Sequence, residues 1–480
     1  MPELLLGLDV GTTTLTACLF APGGERLSQA AAPVRTMTPA PGRVEQDAQG
    51  IWRSARRVIR RALTGAGRHA NDLAAIGITS QRTSLVLWDR ATGQPLTPLV
   101  VWSDLRGAAR ASELRGAGYG IVAQQAAAKL EELWIGVADR AQLLAQRRLA
   151  WGNIDSFLIW KLSGGAAHVT DRSQAWPTGY LDLGTFNWNA ALIEHQGLDE
   201  SAFPALVDTW GEMARTDPAV LGAATPIAAN IADQQAALVG QDAEAPGACK
   251  ITLGTSATVD VSTGAQFVYG GPTIPPFILS SVGAETRFCI EGMVYSAGSA
   301  LDWLRRSFRL GSFSRFEAIA ATTPDSGHVV MLPALQGLGA PHGDLGRRGL
   351  VGGLTLATGP GEIARAGVEG VAFRVREVIE HIYAQSGLSR PDVLRADGGL
   401  TNSDVFMQAQ ADILGTPVAR HVLREATACG AAICAGRGVG LLTPSDTAGF
   451  VRHDRTFRPA ISADESSARL AAWRDQVYGP

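Results

Sequence analysis

The sequence is poor in lysine. Of its 480 residues 42 are Lys or Arg, and only those at positions 129, 161 and 250 are lysines. A P-loop needs a Gly-Lys-Ser/Thr step, in which the lysine reaches the β- and γ-phosphates. None of the three lysines follows a glycine. The sequence therefore excludes a P-loop, and bound phosphate groups would have to be met by backbone N–H groups and hydroxyls.

Cysteine, long apolar runs and net charge are also scarce. Five cysteines without a CxxC pair argue against a zinc site and a disulfide framework. No run of about 18 apolar residues could span a bilayer, and the N-terminal apolar segment lacks the basic region of a signal peptide. A net charge of −3 gives no reason to expect binding to nucleic acid or to an anionic membrane. We expect a cytoplasmic protein.

The apolar pattern alternates β-prone runs with amphipathic helices, which indicates α/β architecture. Strands are predicted at 4–10 and 15–20, on either side of a turn at 11–14. Asp47 could cap a helix with apolar residues at three-to-four spacing. A second helical pattern covers 140–162, with a break near Gly152. A helix at 426–436 is rich in small residues, which suits close packing against a neighbour.

The second half of the chain repeats this opening. Strands are predicted at 250–253 and 257–261, around a Gly-Thr-Ser turn about half the chain away from the first turn. This spacing predicts a doubled architecture. Single cores rarely exceed about 250–300 residues, so we predict a boundary within 241–247 and two domains, 1–245 and 246–480.

Three turns at strand ends carry groups suited to phosphate or metal. The turn at 11–14 offers N–H groups and hydroxyls to phosphate oxygens, and Asp9 beside it could hold Mg²⁺ through water. The turn at 254–256 would be a second phosphate loop. The Gly-Gly step at 398–399 leaves backbone open to a ligand. Each turn is also common as a purely structural feature.

Three further side chains could bind or activate a polar substrate. Asp233 begins a predicted helix after an apolar strand, where the helix dipole favours an ionised carboxylate. Arg82 and Trp102 lie at short strands, and they could hold hydroxyls and form an apolar wall. The open alternatives are a helix cap, a surface arginine and a core tryptophan.

Taken together, these segments resemble the FGGY family of carbohydrate kinases, and most closely its glycerol kinase members. The similarity runs from end to end. It is carried by residues 7–13 (GLDVGTT), 77–82 (GITSQR), 100–102 (VVW), 153–161 (NIDSFLIWK), 231–237 (IADQQAA), 291–292 (EG), 297–299 (AGS), 337–341 (GLGAP), 397–399 (DGG) and 407–416 (MQAQADILGT).

The resemblance implies a two-domain ribonuclease-H/actin-like ATPase fold with the active site in the interdomain cleft. It implies ATP-dependent phosphorylation of a primary hydroxyl of a small polyol or sugar, with Mg²⁺. By motif match, Asp233 is the catalytic base and a metal residue together with Asp9. The matched substrate positions are Arg82, Thr83, Trp102, Asp233 and Gln234. The matched nucleotide positions are Gly11, Thr12, Thr13, Thr14, Gly254, Thr255, Gly298, Asp302, Gly399 and Ser403.

Several positions depart from the glycerol kinase pattern. Thr83 replaces a Glu, Thr258 a Phe and Thr16 an Arg, and Tyr119 is the only tyrosine of a shortened segment at 116–138. Losing a carboxylate and an aromatic wall changes which hydroxyls are recognised, because hydroxyl-binding sites discriminate through buried polar partners. These departures predict a changed acceptor preference.

Three alternatives remain open at this point. A ketose kinase, such as a xylulose kinase, is the first, although Arg82 and Thr83 replace the Met-His pair typical there. An actin-like ATPase without a small-molecule acceptor is the second, and a catalytically inactive sugar-binding protein is the third. For the oligomeric state, a homodimer and a homotetramer both remain open.

Overall fold

The computed structural model describes residues 3–421 and 425–479. The chain separates into two compact units: the first comprises 1–242, 278–286 and 425–451, and the second comprises 243–277, 287–424 and 452–480. Within the described ranges, no helix has the length and apolar character needed to cross a membrane.

The strands are β1 Leu4–Val10, β2 Thr14–Phe20, β3 Arg26–Pro33, β4 Thr36–Met37, β5 Glu45–Gln46, β6 Leu73–Ser80, β7 Leu85–Asp89, β8 Leu99–Val100, β9 Leu149–Asn153, β10 Val169–Asp171, β11 Leu181–Asp182, β12 Asn187–Trp188, β13 Ala205–Val207, β14 Trp210–Arg215, β15 Pro226–Ala232, β16 Cys249–Leu253, β17 Ala257–Gly264, β18 Pro276–Val282, β19 Glu285–Val294, β20 Val330–Leu332, β21 Leu350–Gly352, β22 Leu394–Asp397, β23 Val418–His421 and β24 His453–Phe457. The helices are α1 Ala48–Gly65, α2 Ala108–Gly116, α3 Ala126–Gly136, α4 Arg140–Ala145, α5 Ile154–Leu162, α6 Arg172–Ala175, α7 Ala190–His195, α8 Pro218–Leu221, α9 Asp233–Gly240, α10 Gly298–Ser307, α11 Phe313–Ala320, α12 Pro360–Ser386, α13 Asp404–Leu414, α14 Ala426–Gly438 and α15 Ala463–Tyr478.

A six-stranded sheet with the order β14-β15-β6-β1-β2-β3 forms the centre of the first unit. The strands β1, β2 and β3 are antiparallel, whereas β6 runs parallel to β1 and β15 runs parallel to β6. The first hairpin is therefore as predicted. Because β1 is buried along nearly its whole length, it reads in the sequence as a continuous apolar run.

Helix α1 packs against β2 and β3 through the predicted apolar stripe. The predicted stripe consists of Ile51, Trp52, Ala55, Val58, Ile59, Ala62 and Leu63, all of them buried, and Ala48 is buried beside it. Burying a large apolar side chain contributes about 1.5–3 kcal/mol, so this face holds the helix in place. Asp47 occupies the N-cap position, as predicted. Its side chain makes no cap hydrogen bond and pairs instead with Arg53 at 3.1 Å.

Helix α14 lies against β1, β6 and α9, and glycines allow the close approach. A Cβ atom on Gly7 would lie 1.8 Å from the carbonyl oxygen of Ala428, and one on Gly77 would lie 1.9 Å from that of Ala431. The predicted close packing of this small-residue helix is confirmed.

A seven-stranded sheet has the order β18-β19-β17-β16-β22-β23-β24, and its strands β16, β17, β22, β23 and β24 lie in the second unit. The strands β16, β17 and β19 are antiparallel, β22 and β23 continue parallel to β16, and β24 is an antiparallel edge. The first sheet has the same succession in β1, β2, β3, β6, β15 and β14. This equivalence confirms the predicted doubled architecture.

One predicted element is wrong. The segment 140–162 was expected to be helical with a break, but it forms α4, then β9, then α5. Strand β9 (LAWGN) pairs antiparallel with β7 and is fully buried. It belongs to a five-stranded sheet with the order β4-β5-β8-β7-β9. A buried strand has no polar face, so its apolar residues merge with the helical pattern on either side.

Candidate active site

Three parallel strands of the first sheet end at the same edge and bring the predicted polar residues together. Asp9 lies near the end of β1, Arg82 follows β6, and Asp233 follows β15. The register pairs Asp9 with Thr79 in β6, and Thr79 in turn with Ile231 in β15. Carboxyl ends of parallel strands are where α/β folds bind ligands.

Asp233 is the first residue of α9, and its carboxylate is held by two groups. Its Oδ1 accepts a hydrogen bond of 2.8 Å from the backbone N–H of Gln234. The Nε of Arg82 lies 3.4 Å from the same oxygen, and both side chains remain partly exposed, at 14% for Arg82 and 25% for Asp233. A helix N-terminus and a guanidinium both stabilise the ionised carboxylate.

Asp9 has a strongly perturbed environment. Burial and the negative charges of Asp233 and Glu425 raise the pKa of Asp9 to about 8. Its Oδ1 is buried and accepts no hydrogen bond from the described residues. A buried carboxylate oxygen of this kind is costly unless a cation or a donor meets it.

The hydroxyl of Thr12 connects the first turn to the predicted substrate wall. It donates to Oε1 of Gln81 at 3.1 Å and accepts from the indole N–H of Trp102, also at 3.1 Å. Gln46 completes the network, since its amide donates to the carbonyl of Thr12 and accepts from the Gln81 amide. Thr13 and Thr14 are exposed.

The remaining predicted substrate positions differ in exposure. Trp102 is 38% exposed and presents its ring to solvent. Thr83 is only 6% exposed and has a left-handed backbone, with φ of 54°, so its side chain is nearly inaccessible. Gln234 is half-buried.

The predicted nucleotide positions of the second unit form one compact group. The N–H of Gly298, at the start of α10, donates to the carbonyl of Gly254 at 2.9 Å. The hydroxyl of Ser299 donates to the carbonyl of Thr255 at 3.0 Å. A Cβ atom on Gly298 would lie 2.6 Å from the oxygen of Gly254, whereas one on Gly399 would meet nothing within 4 Å. The backbone at Gly399 is therefore open to a ligand.

Two predicted nucleotide residues are engaged within their own helices. Asp302 pairs with Arg305 at 2.5 Å and with Arg306 at 2.9 Å. The hydroxyl of Ser403 caps α13 by accepting from the N–H of Phe406 at 3.2 Å, and Ser403 is 3% exposed. The Ser403 hydroxyl is therefore nearly inaccessible, whereas the Asp302 side chain remains 40% exposed beside its two arginines.

Sequence reasoning missed three residues whose side chains hydrogen-bond to segments that carry predicted site residues: Gln46, Gln81 and Lys129. Lys129 lies in α3 and is completely buried, with its Nζ 3.1 Å from the carbonyl oxygen of Val101. A lysine within the apolar run of 126–130 (AAAKL) was the available signal, because lysine is rarely buried without a role. The two glutamines gave no comparable signal.

Comparison with known proteins decides the family. The profile of the N-terminal domain of the FGGY family of carbohydrate kinases matches residues 4–240, and that of the C-terminal domain matches residues 249–439. The chain belongs to the FGGY family of carbohydrate kinases. It is therefore an enzyme that transfers a phosphoryl group to an alcohol group, and membership of the family implies ATP binding.

Individual relatives agree with this assignment. A glycerol kinase of Gloeobacter violaceus is 38% identical over 98% of this chain and 96% of its own length. The crystal structure of Plasmodium falciparum glycerol kinase with ADP superposes with a TM-score of 0.91 at 25% identity, covering 99% of this chain and 97% of that one. A xylulose kinase of Lactobacillus acidophilus has a TM-score of 0.86 at 21% identity, covering 99% and 98%, which shows the fold alone. The predicted actin-like ATPase fold and the predicted glycerol-kinase-like enzyme class are confirmed.

Proposed function

We propose that this carbohydrate kinase uses ATP and Mg²⁺ to phosphorylate a primary hydroxyl of a small polyol, with glycerol the first acceptor to test. The observation that carries the proposal is the carboxylate of Asp233, held beside Arg82 at the start of α9. The 38% identity to a glycerol kinase supports the same acceptor class. A homodimer or a homotetramer is the proposed assembly, in the cytoplasm.

Asp233 is proposed as the general base. Its carboxylate would accept the hydroxyl proton late, once the acceptor oxygen has begun to bond to phosphorus, because a carboxylate is a much weaker base than an alkoxide. The transition state of phosphoryl transfer is loose, so positioning contributes most of the catalysis. General-base assistance of this kind contributes about 10²–10⁴-fold.

The neighbours of Asp233 are proposed to hold the acceptor. Arg82 and Gln234 would donate hydrogen bonds to its other hydroxyls, and the exposed ring of Trp102 would pack against its carbon chain. Because the indole N–H of Trp102 already donates to Thr12, this ring contributes apolar contact. Thr83 is nearly buried and stands where glycerol kinases have a carboxylate. Fewer polar contacts with the acceptor would therefore form at this position.

The residues present fit ATP and Mg²⁺. Within the described ranges, no group of three or more His, Cys, Asp or Glu side chains could hold a metal alone. Mg²⁺ is commonly held by one or two carboxylates together with phosphates and water. The buried oxygen of Asp9 suits that role, with Asp233 as second carboxylate. When bound, Mg²⁺ would neutralise phosphate charge.

We propose a division of the chain into residues 1–245, which hold the acceptor, and 246–480, which hold the nucleotide. The turn at 11–14 would add phosphate contacts through Thr13, Thr14 and the backbone. The turn at 254–255 and the start of α10, with Gly399, would hold the nucleotide. Asp302 and Ser403 stay in the proposal as flanking positions, since both side chains are already engaged.

The deciding experiment is an ADP-release assay over glycerol, tetritols, pentitols, ketoses and aldonates, run on wild type and on Asp233→Asn. We expect the variant to keep its fold and its ADP affinity and to lose at least about 10²-fold in turnover. Asp139→Asn is the matched control, because Asp139 is exposed and its backbone, with φ of 52°, suits asparagine.

The outcomes separate the alternatives. Near-normal turnover in Asp233→Asn would disprove the assigned base. Preference for a ketose over glycerol would show that the enzyme is a ketose kinase and that its acceptor is not a polyol. ATP hydrolysis that no acceptor stimulates would favour the actin-like ATPase, and binding of a sugar without turnover would favour an inactive sugar-binding protein.

A further inference from the structure

Lys129 occupies an unusual environment in helix α3. It is fully buried, and among the described residues it forms no ion pair with a carboxylate. Its Nζ lies 3.1 Å from the carbonyl oxygen of Val101 and 3.5 Å from those of Thr83 and Trp102. A buried amine is costly unless its N–H groups find acceptors, and here all three acceptors are backbone carbonyls.

These carbonyls belong to two segments that carry predicted acceptor-binding residues. One segment is the turn at 82–84, which contains Arg82 and the left-handed Thr83. The other follows β8 and contains Trp102. A second bond joins the same segments, since the backbone N–H of Trp102 donates to the hydroxyl of Ser84 at 3.1 Å.

Lys129 can join the two segments in either charge state, because the ammonium has three N–H groups and the neutral amine still has two. Burial lowers the pKa of Lys129 to about 7, with the nearby charge of Asp104 raising the pKa and that of Arg106 lowering it further. Both the ammonium and the neutral amine have N–H groups to donate. The lysine can therefore bridge the two segments in either form.

We propose that Lys129 is a positioning residue for the acceptor site, which joins the turn at 82–84 to the Trp102 segment and so fixes Arg82 against the acceptor. The expected effect of Lys129 on acceptor phosphorylation rests on the proposed function. Catalytic groups have to be held within about 0.5 Å by supporting contacts. A residue outside the acceptor site can therefore control acceptor affinity.

The test compares Lys129→Met with Lys161→Met. Lys161 is a matched control in the same unit, because its Nζ also donates to a backbone carbonyl, that of Gly93 at 3.1 Å, outside the proposed site. For Lys129→Met we expect the acceptor KM to rise by about tenfold or more, since misplacement by 1 Å can cost about 10²-fold. The KM for ATP should stay within about twofold of wild type, and Lys161→Met should change neither value.

Two further measurements distinguish positioning from general destabilisation. Hydrogen exchange of backbone amides at 81–85 and 100–104 should be faster in Lys129→Met and unchanged in Lys161→Met. In a double-mutant cycle, Trp102→Ala should cost less acceptor kcat/KM in the Lys129→Met background than in wild type, because the two residues act through one arrangement. Should Lys129→Met not fold, Lys129→Gln is measured in the same way, and because its shorter side chain cannot reach both segments, the acceptor KM should again rise, by a smaller factor.

The inference and the proposed function fail separately. Unchanged exchange in both segments, or an unchanged acceptor KM in an active enzyme, overturns the role of Lys129. Absence of acceptor phosphorylation in wild type overturns the proposed function, and the exchange measurement then still decides whether Lys129 joins the two segments.

Discussion

At the scale of single residues, the scarce lysines turn out to be structural anchors. Lys129 and Lys250 are both completely buried. Lys250 pairs with Asp260 at 2.8 Å and donates to the hydroxyl of Thr252 at 3.0 Å, in the strand that leads to the turn at 254–255. Removing one partner of a buried pair leaves an uncompensated charge. The absence of a P-loop lysine thus coexists with two buried lysines whose Nζ atoms are met by backbone carbonyls or by a carboxylate.

A partly buried histidine in the first unit, His168, predicts a pH dependence of stability. The Arg90 Nη2 lies 2.8 Å from Nδ1 of His168, and Nε2 of the ring lies 2.9 Å from the carbonyl oxygen of Trp151. Because a guanidinium can only donate, Nδ1 has to accept and stay unprotonated. Burial and the charge of Arg90 lower the pKa of His168 from 6.5 to about 3.

The unfolded chain therefore binds a proton that the folded chain excludes between pH 6.5 and about 3. The contribution of His168 to stability is complete above pH 6.5 and is lost as the pH falls through this window. We expect the loss of this contribution to lower the free energy of unfolding by about 2 kcal/mol between pH 7 and pH 5. Urea denaturation of wild type and of His168→Gln at both pH values measures this, since the variant lacks the titrating group. Equal losses in the two proteins would contradict the assigned protonation state.

At the scale of elements, helix α1 was predictable from the sequence and strand β9 was not. Helix α1 has one buried and one exposed face, and its buried stripe agrees with the predicted residues. Strand β9 has no exposed face, and it was mistaken for part of a helix because only its partner β7 distinguishes it. Asp9, Arg82 and Asp233 were identifiable because they lie at or just after the ends of strands. The roles of Gln46, Gln81 and Lys129 depend on hydrogen bonds to residues distant in sequence, which no local pattern reveals.

The contact between α14 and the first sheet predicts a severe glycine requirement. A Cβ atom on Gly77 would lie 1.9 Å from the carbonyl oxygen of Ala431, and backbone cannot move aside as a side chain would. We expect Gly77→Ala to lower the free energy of unfolding by about 3 kcal/mol or to prevent folding, since overpacking costs about 1–3 kcal/mol even where side chains yield. Soluble yield and chemical denaturation measure the effect.

Gly116→Ala is the matched control for this substitution. Gly116 ends α2, and an added Cβ would meet nothing within 4 Å. Alanine has the higher helix propensity, so the control should be neutral or slightly stabilising. If both variants behaved alike, the close approach of α14 to β6 would not be the reason for glycine at position 77.

At the scale of the whole molecule, the doubled fold explains why two similar hairpins can serve different ligands. Each sheet places a Gly-Thr turn after its first strand, in the hairpins β1–β2 and β16–β17. Asp9, Arg82 and Trp102 lie at the strand ends beside the first turn, whereas the second turn contacts the start of α10 through Gly298 and Ser299. Topology provides two equivalent turns, and the proposed function assigns a separate task to each turn through the side chains that surround it.

This division predicts reciprocal effects of two substitutions. In Gly298→Ala the added Cβ would lie 2.6 Å from the carbonyl oxygen of Gly254, so the turn has to shift. We expect the affinity for ADP to fall by about tenfold or more, while the affinity for the acceptor stays unchanged, because a shift of about 1 Å can cost about 10²-fold. Trp102→Ala removes the apolar wall in the other unit and should lower only the affinity for the acceptor.

Calorimetric titration of each variant with ADP and with the acceptor measures all four affinities. If both substitutions weakened both ligands equally, the two halves would not act as separate acceptor and nucleotide sites, because each turn would then contribute to a single shared site.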